Sequence, residues 1–224
     1  MTDAPPRRRE ILLYGTSANP PTGRQGHMGA IAFCRSLVDE IWILPVYQHI
    51  YSSKRQLAPF SHRVALTKLA IEDTLVSTEG ATVEVKEYER ELFEHHAAQT
   101  DDPASLRLGS IDLIRYLNDQ VPDANLTMLL GADTYADLRA GKWKEGEELQ
   151  RRVKLLVMSR KGYDVPQHDD DEANDRVRFI EIPALSDVSS THVRSLTDAE
   201  ALEQSTTPNV AAYIVQNKLY GFAA

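Results

Sequence analysis

Cysteine is almost absent from this sequence, which has one, Cys34, among 224 residues. A single cysteine excludes an internal disulfide framework and any zinc site built on cysteine ligands. Cys34 also falls within a stretch of helical periodicity, so we interpret it as a buried and inert thiol rather than as a nucleophile.

Long apolar runs are also missing, since none approaches the about 20 residues that a membrane-spanning helix needs. The N-terminal segment is basic, but the apolar stretch behind it, residues 11–14, is too short for the core of a signal peptide. We therefore expect a cytoplasmic protein without a membrane partner, in which residues 1–9 form a flexible leader and residues 10–224 form one domain. The sequence leaves an organellar transit peptide open.

Positive charge is scarce, with 25 Lys and Arg against 33 Asp and Glu and a formal net charge of -8. Affinity for nucleic acid comes largely from Lys and Arg on phosphates, so nucleic acid is not expected to be a partner. A small anionic substrate stays compatible with this balance, because helix N-termini and a few local cations can hold phosphate.

Six short apolar runs have the length of buried strands, and four of them lack the alternation expected of a sheet with one face in water. They cover residues 10–14, 40–44, 82–86, 126–130, 154–158 and 178–182. Helical periodicity lies between them at 27–38, 61–75 and 110–117, and Thr207 and Pro208 begin a last helix as its cap and first turn. Strand and helix alternate, which predicts an α/β fold, a single Rossmann-like doubly wound parallel sheet with helices on both faces.

Two polar stretches, residues 94–107 and 163–176, are predicted to be surface loops. The second contains an acidic run at 168–172, but it lacks the Gly and the terminal Glu of a calcium loop. His95 and His96 are likewise interpreted as a polar pair in a loop. We therefore predict no protein metal site.

The turn after the first strand carries the strongest chemical signal, reading Tyr-Gly-Thr-Ser-Ala-Asn-Pro-Pro-Thr-Gly-Arg-Gln-Gly-His-Met-Gly over residues 14–29. It is neither a Walker loop nor the dinucleotide-binding fingerprint. Gly15 permits close approach to the backbone, and His27 would point a donor toward an anion at the start of a helix, where N–H groups are unpaired. The pattern favours phosphate binding, with a glycine-rich turn and a capping His as the alternative.

This turn resembles the signature of the nucleotidylyltransferase superfamily, a strand followed by Gly-Thr/Ser-Phe-Asp/Asn-Pro-x-His/Thr and then a second His that opens a helix. Asn-Pro-Pro-Thr at 19–22 matches the middle, and His27 matches the second His. Three later segments are similar to the nicotinate or nicotinamide mononucleotide adenylyltransferases in particular. They are Gly-Ala-Asp at 131–133 with Leu138 and Trp143, Val-Ser-Ser-Thr-His-Val-Arg at 188–194, and the closing segment 208–220; His62-Arg63 and Arg160 are weaker matches.

The sequence departs from the family pattern at two places. Bacterial members have His-x-Gly-His, whereas this chain has Thr22, as in eukaryotic and archaeal relatives, and a longer spacer at 23–26 before His27. The sequence does not predict whether Thr22 and His27 meet. Where relatives have Tyr-Thr-x-x-Thr-Leu, Ser110 replaces the first hydroxyl and Leu113 cannot replace the second.

The resemblance implies attack by a mononucleotide phosphate on the α-phosphorus of ATP, with Mg2+ as the companion of ATP and release of pyrophosphate. It assigns residues 10–224 to a nucleotidylyltransferase domain. The residues that it implies for catalysis are His27, Arg194 and Thr22. Those implied for nucleotide binding are Gly15, Thr16, Ser17, Gly131, Asp133, Ser190 and Thr191, and those for the acceptor are Ser110, Trp143, Lys54 and Arg160.

Structural interpretations stay open for several of these residues. Ser190 and Thr191 precede a predicted helix and are also good caps. Asp133 could be a turn residue, and Trp143 could pack the domain rather than stack on a pyridine ring. Lys54, Arg55 and Arg24 suit phosphate contacts or plain solvated surface.

Two other functions remain open. One is a different nucleotidylyltransferase, such as one acting on phosphopantetheine, and the other is a catalytically idle nucleotide-binding protein that the altered spacer would mark. Among pyridine acceptors we expect nicotinate mononucleotide to be preferred over the nicotinamide form, because backbone amides at a helix start can receive a carboxylate. The sequence also leaves a homo-oligomer open.

Overall fold

The computed structural model describes residues 7–48, 57–160, 175–183, 185–186 and 188–222. The strands in this part are β1 (Arg9–Thr16), β2 (Glu40–Pro45), β3 (Thr82–Val85), β4 (Ala124–Gly131), β5 (Lys154–Arg160) and β6 (Val177–Ile182). The α-helices are α1 (His27–Cys34), α2 (Phe60–Thr74), α3 (Tyr88–Ala97), α4 (Ser110–Gln120), α5 (Ala132–Arg139), α6 (Gly146–Arg152), α7 (Ser190–Arg194), α8 (Ala199–Ser205) and α9 (Pro208–Gln216).

The six strands form one sheet in the order β3-β2-β1-β4-β5-β6, and each neighbouring pair is parallel. This confirms the predicted doubly wound fold. The strand order reverses between β1 and β4, and in such sheets ligands bind beyond the carboxyl ends of the strands at that point. A ligand-binding site is therefore expected beside the segments that follow β1 and β4.

Hydrophobic side chains cover both faces of the sheet. Ile11 and Leu13 of β1 belong to the core under α3 and α4, whereas Leu12 belongs to the core under α1, α2 and α9. Because both faces of the central strands are buried, their sequences read as apolar runs without alternation. Cys34 lies in the second core, where burial raises the pKa of its thiol to about 12, as expected for an inert cysteine.

The prediction of a loop at 94–107 is partly wrong. Helix α3 continues to Ala97, so His95 and His96 lie in its last turn and not in a loop. Leu92 anchors the helix to the core. A single 3-10 turn occupies Pro103–Ser105. The predicted loop at 163–176 falls almost wholly outside the described residues.

Helix α1 also differs from its prediction, since it ends at Cys34 rather than at residue 38. Among the residues described, no helix is long and apolar enough to cross a bilayer.

Candidate active site

Two glycines leave open space at the switch point of the sheet. Gly15 is exposed although its neighbours in β1 are buried, and Gly131 ends β4. A Cβ built at either position would meet no atom within 4 Å. The register between β1 and β4, with Leu13 opposite Met128, brings both glycines to the same edge. The space beside them can receive a ligand that approaches the backbone closely.

Thr22 and His27 are in direct contact despite the longer spacer. The hydroxyl Oγ1 of Thr22 lies 2.5 Å from Nδ1 of the imidazole and accepts from the backbone N–H of His27 at 2.9 Å. The backbone N–H of Thr22 donates to the same Nδ1 at 3.1 Å. Thr22 is fully buried. It therefore holds the imidazole at the first residue of α1.

The extra residues of the spacer form a turn anchored to other elements. The N–H of Gly23 donates to the carbonyl of Ser205 at 3.1 Å, and the carbonyl of Gln25 accepts from Ser186 at 2.9 Å. A Cβ at Gly26 would overlap the hydroxyl of Thr22. Glycine at this position is what lets the turn close over Thr22 and deliver His27 to it.

The contacts of His27 decide which ring nitrogen carries the proton. A backbone N–H can only donate, so Nδ1 accepts from Thr22 and is unprotonated. Burial lowers the pKa of the imidazole to about 4. At neutral pH His27 is then uncharged with its proton on Nε2. An Nε2–H group is the donor that a phosphate oxygen requires.

This tautomer gives a first prediction, measured by 15N–1H correlation spectra of the histidine rings. The His27 imidazole is expected to keep the neutral Nε2–H form from pH 8 down to about pH 5, because the depressed pKa delays protonation. A ring that titrates near pH 6.5, or that carries its proton on Nδ1, would contradict the geometry.

Helix α7 is tied to the loop that follows β1. The hydroxyl of Ser190 donates to the carbonyl of Pro20 at 2.8 Å, and Arg194 Nη1 donates to the carbonyl of Asn19 at 2.8 Å. Arg194 Nη2 also donates to Oγ1 of Thr191 at 3.2 Å. The predicted set of Ser190, Thr191 and Arg194 is thus brought to the same loop as Thr22.

The capping role falls to a different residue from those predicted. Ser189 is the N-cap of α7, and its hydroxyl accepts from the N–H of His192 at 3.2 Å. Ser190 and Thr191 form the first turn of the helix rather than preceding it. The hydroxyl proton of Ser190 is used on Pro20, so this side chain fastens α7 to the loop.

The other predicted nucleotide-binding residues lie at the same edge. Thr16 is buried, and its hydroxyl accepts from the N–H of Ala18 at 3.2 Å, which shapes the turn. Ser17 follows it, and its carbonyl accepts from Arg63. Helix α5 begins directly after Gly131, and Asp133 is exposed in its first turn. Asp133 is therefore a helical residue rather than part of a plain turn.

A cavity of about 190 Å3 lies at the same edge, between the end of β2 and the start of α4. Ser110 and Trp143, both predicted to bind the acceptor, line it, and so does Leu113 in place of the missing hydroxyl. Trp143 also packs against the core, as its structural interpretation predicted, and its stacking on a pyridine ring stays a prediction. The other lining residues are Val46, Tyr47, Gln48, Glu89, Leu92, Phe93, Leu106, Arg107, Leu108, Gly109 and Lys144.

Ion pairs fix the wall of this cavity that carries Trp143. Lys144 Nζ lies 2.9 Å from a carboxylate oxygen of Asp112 on α4 and donates to the carbonyl of Arg107 at 3.1 Å. Arg115 on the same helix pairs with Glu145 and Glu148, each at 2.6 Å. The segment that directly follows Trp143 is therefore tied to α4 by three ion pairs.

Four further basic residues were predicted to contact phosphate or the acceptor. Lys54 and Arg55 lie outside the described residues, as does the side chain of Arg160, the last residue of β5. Arg24 belongs to the spacer, and its Nη2 donates to the carbonyl of Thr74 at 3.3 Å. In this structure Arg24 fastens the spacer to α2.

Two residues that line or support the site were not predicted as site residues. Arg63, noted only as a weak match, is 1% exposed and donates to three backbone carbonyls. Glu89 lines the cavity and accepts from the N–H of Tyr47 at 2.9 Å. The available signal for the first was an Arg at helical spacing from Leu66 and Ala70 on the buried face of α2.

Within the described ranges, no group of three or more His, Cys, Asp or Glu side chains could hold a metal ion.

The family model described as cytidylyltransferase-like matches residues 13–196 of the chain. A probable nicotinate-nucleotide adenylyltransferase of Chlorobaculum parvum is 29% identical over 211 residues, covering 93% of this chain and 97% of that protein. A protein of the same description from Myxococcus xanthus is 27% identical over 215 residues, covering 95% of each.

Among solved structures, the chain is similar to the nicotinic acid mononucleotide adenylyltransferase of Plasmodium falciparum complexed with NaAD. The TM-score is 0.72 at 21% identity, over 96% of this chain and 98% of that one. The same Plasmodium enzyme complexed with APC gives a TM-score of 0.70. At this identity the likeness shows the fold.

Proposed function

Because the chain belongs to the cytidylyltransferase-like family, whose model spans residues 13–196, we propose that it transfers the adenylyl group of ATP to nicotinate mononucleotide in NAD biosynthesis. The observation that carries the proposal is the imidazole of His27, which Thr22 holds through Nδ1. Its ring centroid lies 6.1 Å from that of Tyr14, the residue before the open position at Gly15. A separate cavity with Trp143 and Ser110 lies at the same edge of the sheet. The names of the relatives support this choice of substrate.

The reaction needs no general base. A phosphate oxygen of the mononucleotide is already ionised at neutral pH and forms the new bond to the α-phosphorus of ATP. The bond from that phosphorus to the bridging oxygen breaks, and pyrophosphate leaves with its electron pair. Catalysis rests on holding two anions in line and stabilising the charge that develops on the oxygens.

The residues of the site meet that requirement in three ways. His27 donates from Nε2 to the phosphates, and Thr22 sets the tautomer and direction of the ring. The guanidinium of Arg194 supplies positive charge, and its hydrogen bonds to Asn19 and Thr191 fix its orientation. Gly15, Gly131 and Asp133 form the edge that receives the adenosine. Mg2+ enters as part of the ATP substrate and keeps most of its water ligands.

The acceptor cavity favours a carboxylate on the pyridine ring. Helix α4 begins at Ser110, and the N–H of Gly109 before it donates to the carboxylate of Asp112 at 2.7 Å. The N–H groups of Ser110 and Ile111 have no partner within the helix. Arg107 brings positive charge to the same lining, whereas the charge of Lys144 is paired with Asp112 at 2.9 Å and Glu89 adds a carboxyl. A nicotinate carboxylate at this helix start gains charge-assisted hydrogen bonds that a neutral amide makes more weakly.

The longer spacer does not separate Thr22 from His27, so it gives no support to an idle nucleotide-binding protein.

The second prediction tests the acceptor directly through kcat/KM with saturating ATP and Mg2+. Nicotinate mononucleotide is expected to be the better substrate, with nicotinamide mononucleotide also used, because α4 presents N–H groups to the carboxylate. Ser110→Ala, which keeps those N–H groups, is expected to retain the preference. A tenfold or larger preference for the amide, about 1.4 kcal/mol, would reverse the assignment.

A further inference from the structure

A guanidinium is buried where the segments of the site converge. Arg63 of α2 is 1% exposed, and burial lowers its pKa. Its Nε donates to the carbonyl of Ala58 at 2.9 Å, and its Nη1 donates to the carbonyls of Ser17 at 3.0 Å and Val46 at 2.6 Å. One side chain therefore joins the loop after β1 to the segment after β2 and the start of α2.

A carboxyl on helix α3 binds the same segment after β2. Oε2 of Glu89, on α3, accepts from the N–H of Tyr47 at 2.9 Å. The carbonyl of Val46 and the N–H of Tyr47 are the two ends of one peptide group. That peptide is thus held at its oxygen by the guanidinium of Arg63 and at its nitrogen by the carboxyl of Glu89.

The position of this peptide matters for the acceptor cavity. Val46, Tyr47 and Glu89 all line it. The ring of Tyr47 packs edge-on against that of Phe60 of α2, with 5.1 Å between the centroids. It also contacts the ring of Phe93 of α3, with 5.2 Å between the centroids. Because Arg63 also holds Ser17, the cavity wall and the loop after β1 share one anchor.

A gain in the free energy of unfolding does not explain why Arg63 and Glu89 occupy these positions. Burial raises the pKa of Glu89 to about 7, with the Tyr47 N–H and Arg63 acting in the opposite direction. Replacing buried ionic groups with apolar residues is often possible without loss of stability. What apolar side chains cannot do is fix the direction of a polar peptide group.

We propose that Arg63 and Glu89 are positioning residues that together orient the Val46–Tyr47 peptide and thereby fix the acceptor cavity relative to the loop after β1. This proposal rests on the proposed function, since it assigns the cavity to the acceptor mononucleotide. Neither residue needs to touch the reacting atoms. The effect of losing Glu89 should therefore fall on the acceptor rather than on the chemical step.

The test compares three variants of Glu89 by KM for nicotinate mononucleotide, KM for ATP and kcat. Glu89→Ala and Glu89→Asp are expected to raise the acceptor KM about tenfold, because neither reaches the N–H of Tyr47. The KM for ATP and kcat should stay within about threefold of wild type. Glu89→Gln is expected to recover the wild-type acceptor KM to within about threefold, since its amide oxygen can still accept.

Glu94→Ala, an exposed position on the same helix, is the control and should change none of these quantities. If Glu89→Asp is fully competent while Glu89→Gln is not, charge rather than the bond to Tyr47 matters, and the proposal is wrong. Equal losses in kcat and in both KM values, with a lower melting temperature, would also overturn it.

Amide hydrogen exchange at Tyr47 separates this proposal from the proposed function. Glu89→Ala is expected to speed exchange at that amide about tenfold or more, whereas Glu89→Gln is not. This readout needs no substrate. If wild type forms no dinucleotide, the proposed function fails. Exchange at Tyr47 still decides whether Glu89 holds the Val46–Tyr47 peptide.

Discussion

Replacing His27 with alanine is expected to raise the barrier to adenylyl transfer by about 2–4 kcal/mol, the range for losing one preorganised donor to developing charge. The loss should appear in kcat rather than in the KM of either substrate, because the hydrogen bond from Nε2 strengthens as charge builds on the phosphates. Steady-state pyrophosphate release measures it.

Two companion variants make the result specific. Thr22→Val keeps the volume of the side chain but removes the hydroxyl 2.5 Å from Nδ1, and it should cost less than loss of the imidazole, about tenfold in kcat. His192→Ala, at an exposed position on α7, should have no effect. Turnover near the wild-type rate in His27→Ala would remove this residue from the mechanism.

Arg194 is expected to tolerate neither alanine nor lysine. Its guanidinium is held between the carbonyl of Asn19 and the hydroxyl of Thr191, which sets its plane before ATP arrives. A lysine supplies the charge but neither the plane nor the paired donors. We expect Arg194→Lys to lose about 10- to 100-fold in kcat/KM for ATP, and Arg194→Ala to lose more.

The matched control is Arg151→Lys on α6, a largely exposed position whose only described ion pair is loose at 3.9 Å. It should behave as wild type. If Arg194→Lys is fully active while Arg194→Ala is inactive, charge alone is required at this position. The claim that the guanidinium acts through its geometry would then fail.

The fold could be predicted from the sequence because buried parallel strands leave a local signature. All six runs became strands, and the helices that begin at Ser110 and Pro208 start where their patterns indicated. The turn after β1 was also identifiable, since small residues and a His lie within one short segment. These features depend on neighbours in the chain.

Other parts of the site depend on contacts between distant residues. The bond between Glu89 and Tyr47 spans 42 positions, and the bond from Arg194 to Asn19 spans 175. No local pattern indicates such partners. The contact between Thr22 and His27 was hidden for a different reason, because it depends on how the four-residue spacer folds around Gly26.

The most direct measurement incubates the protein with ATP, Mg2+ and one acceptor at a time, and quantifies pyrophosphate and the adenylylated product together. With nicotinate mononucleotide we expect equal amounts of pyrophosphate and nicotinate adenine dinucleotide, and neither product without acceptor. His27→Ala is expected to form both products at least about 30-fold more slowly. Release only with phosphopantetheine, or tight ATP binding with no turnover on any acceptor, would contradict the proposed function.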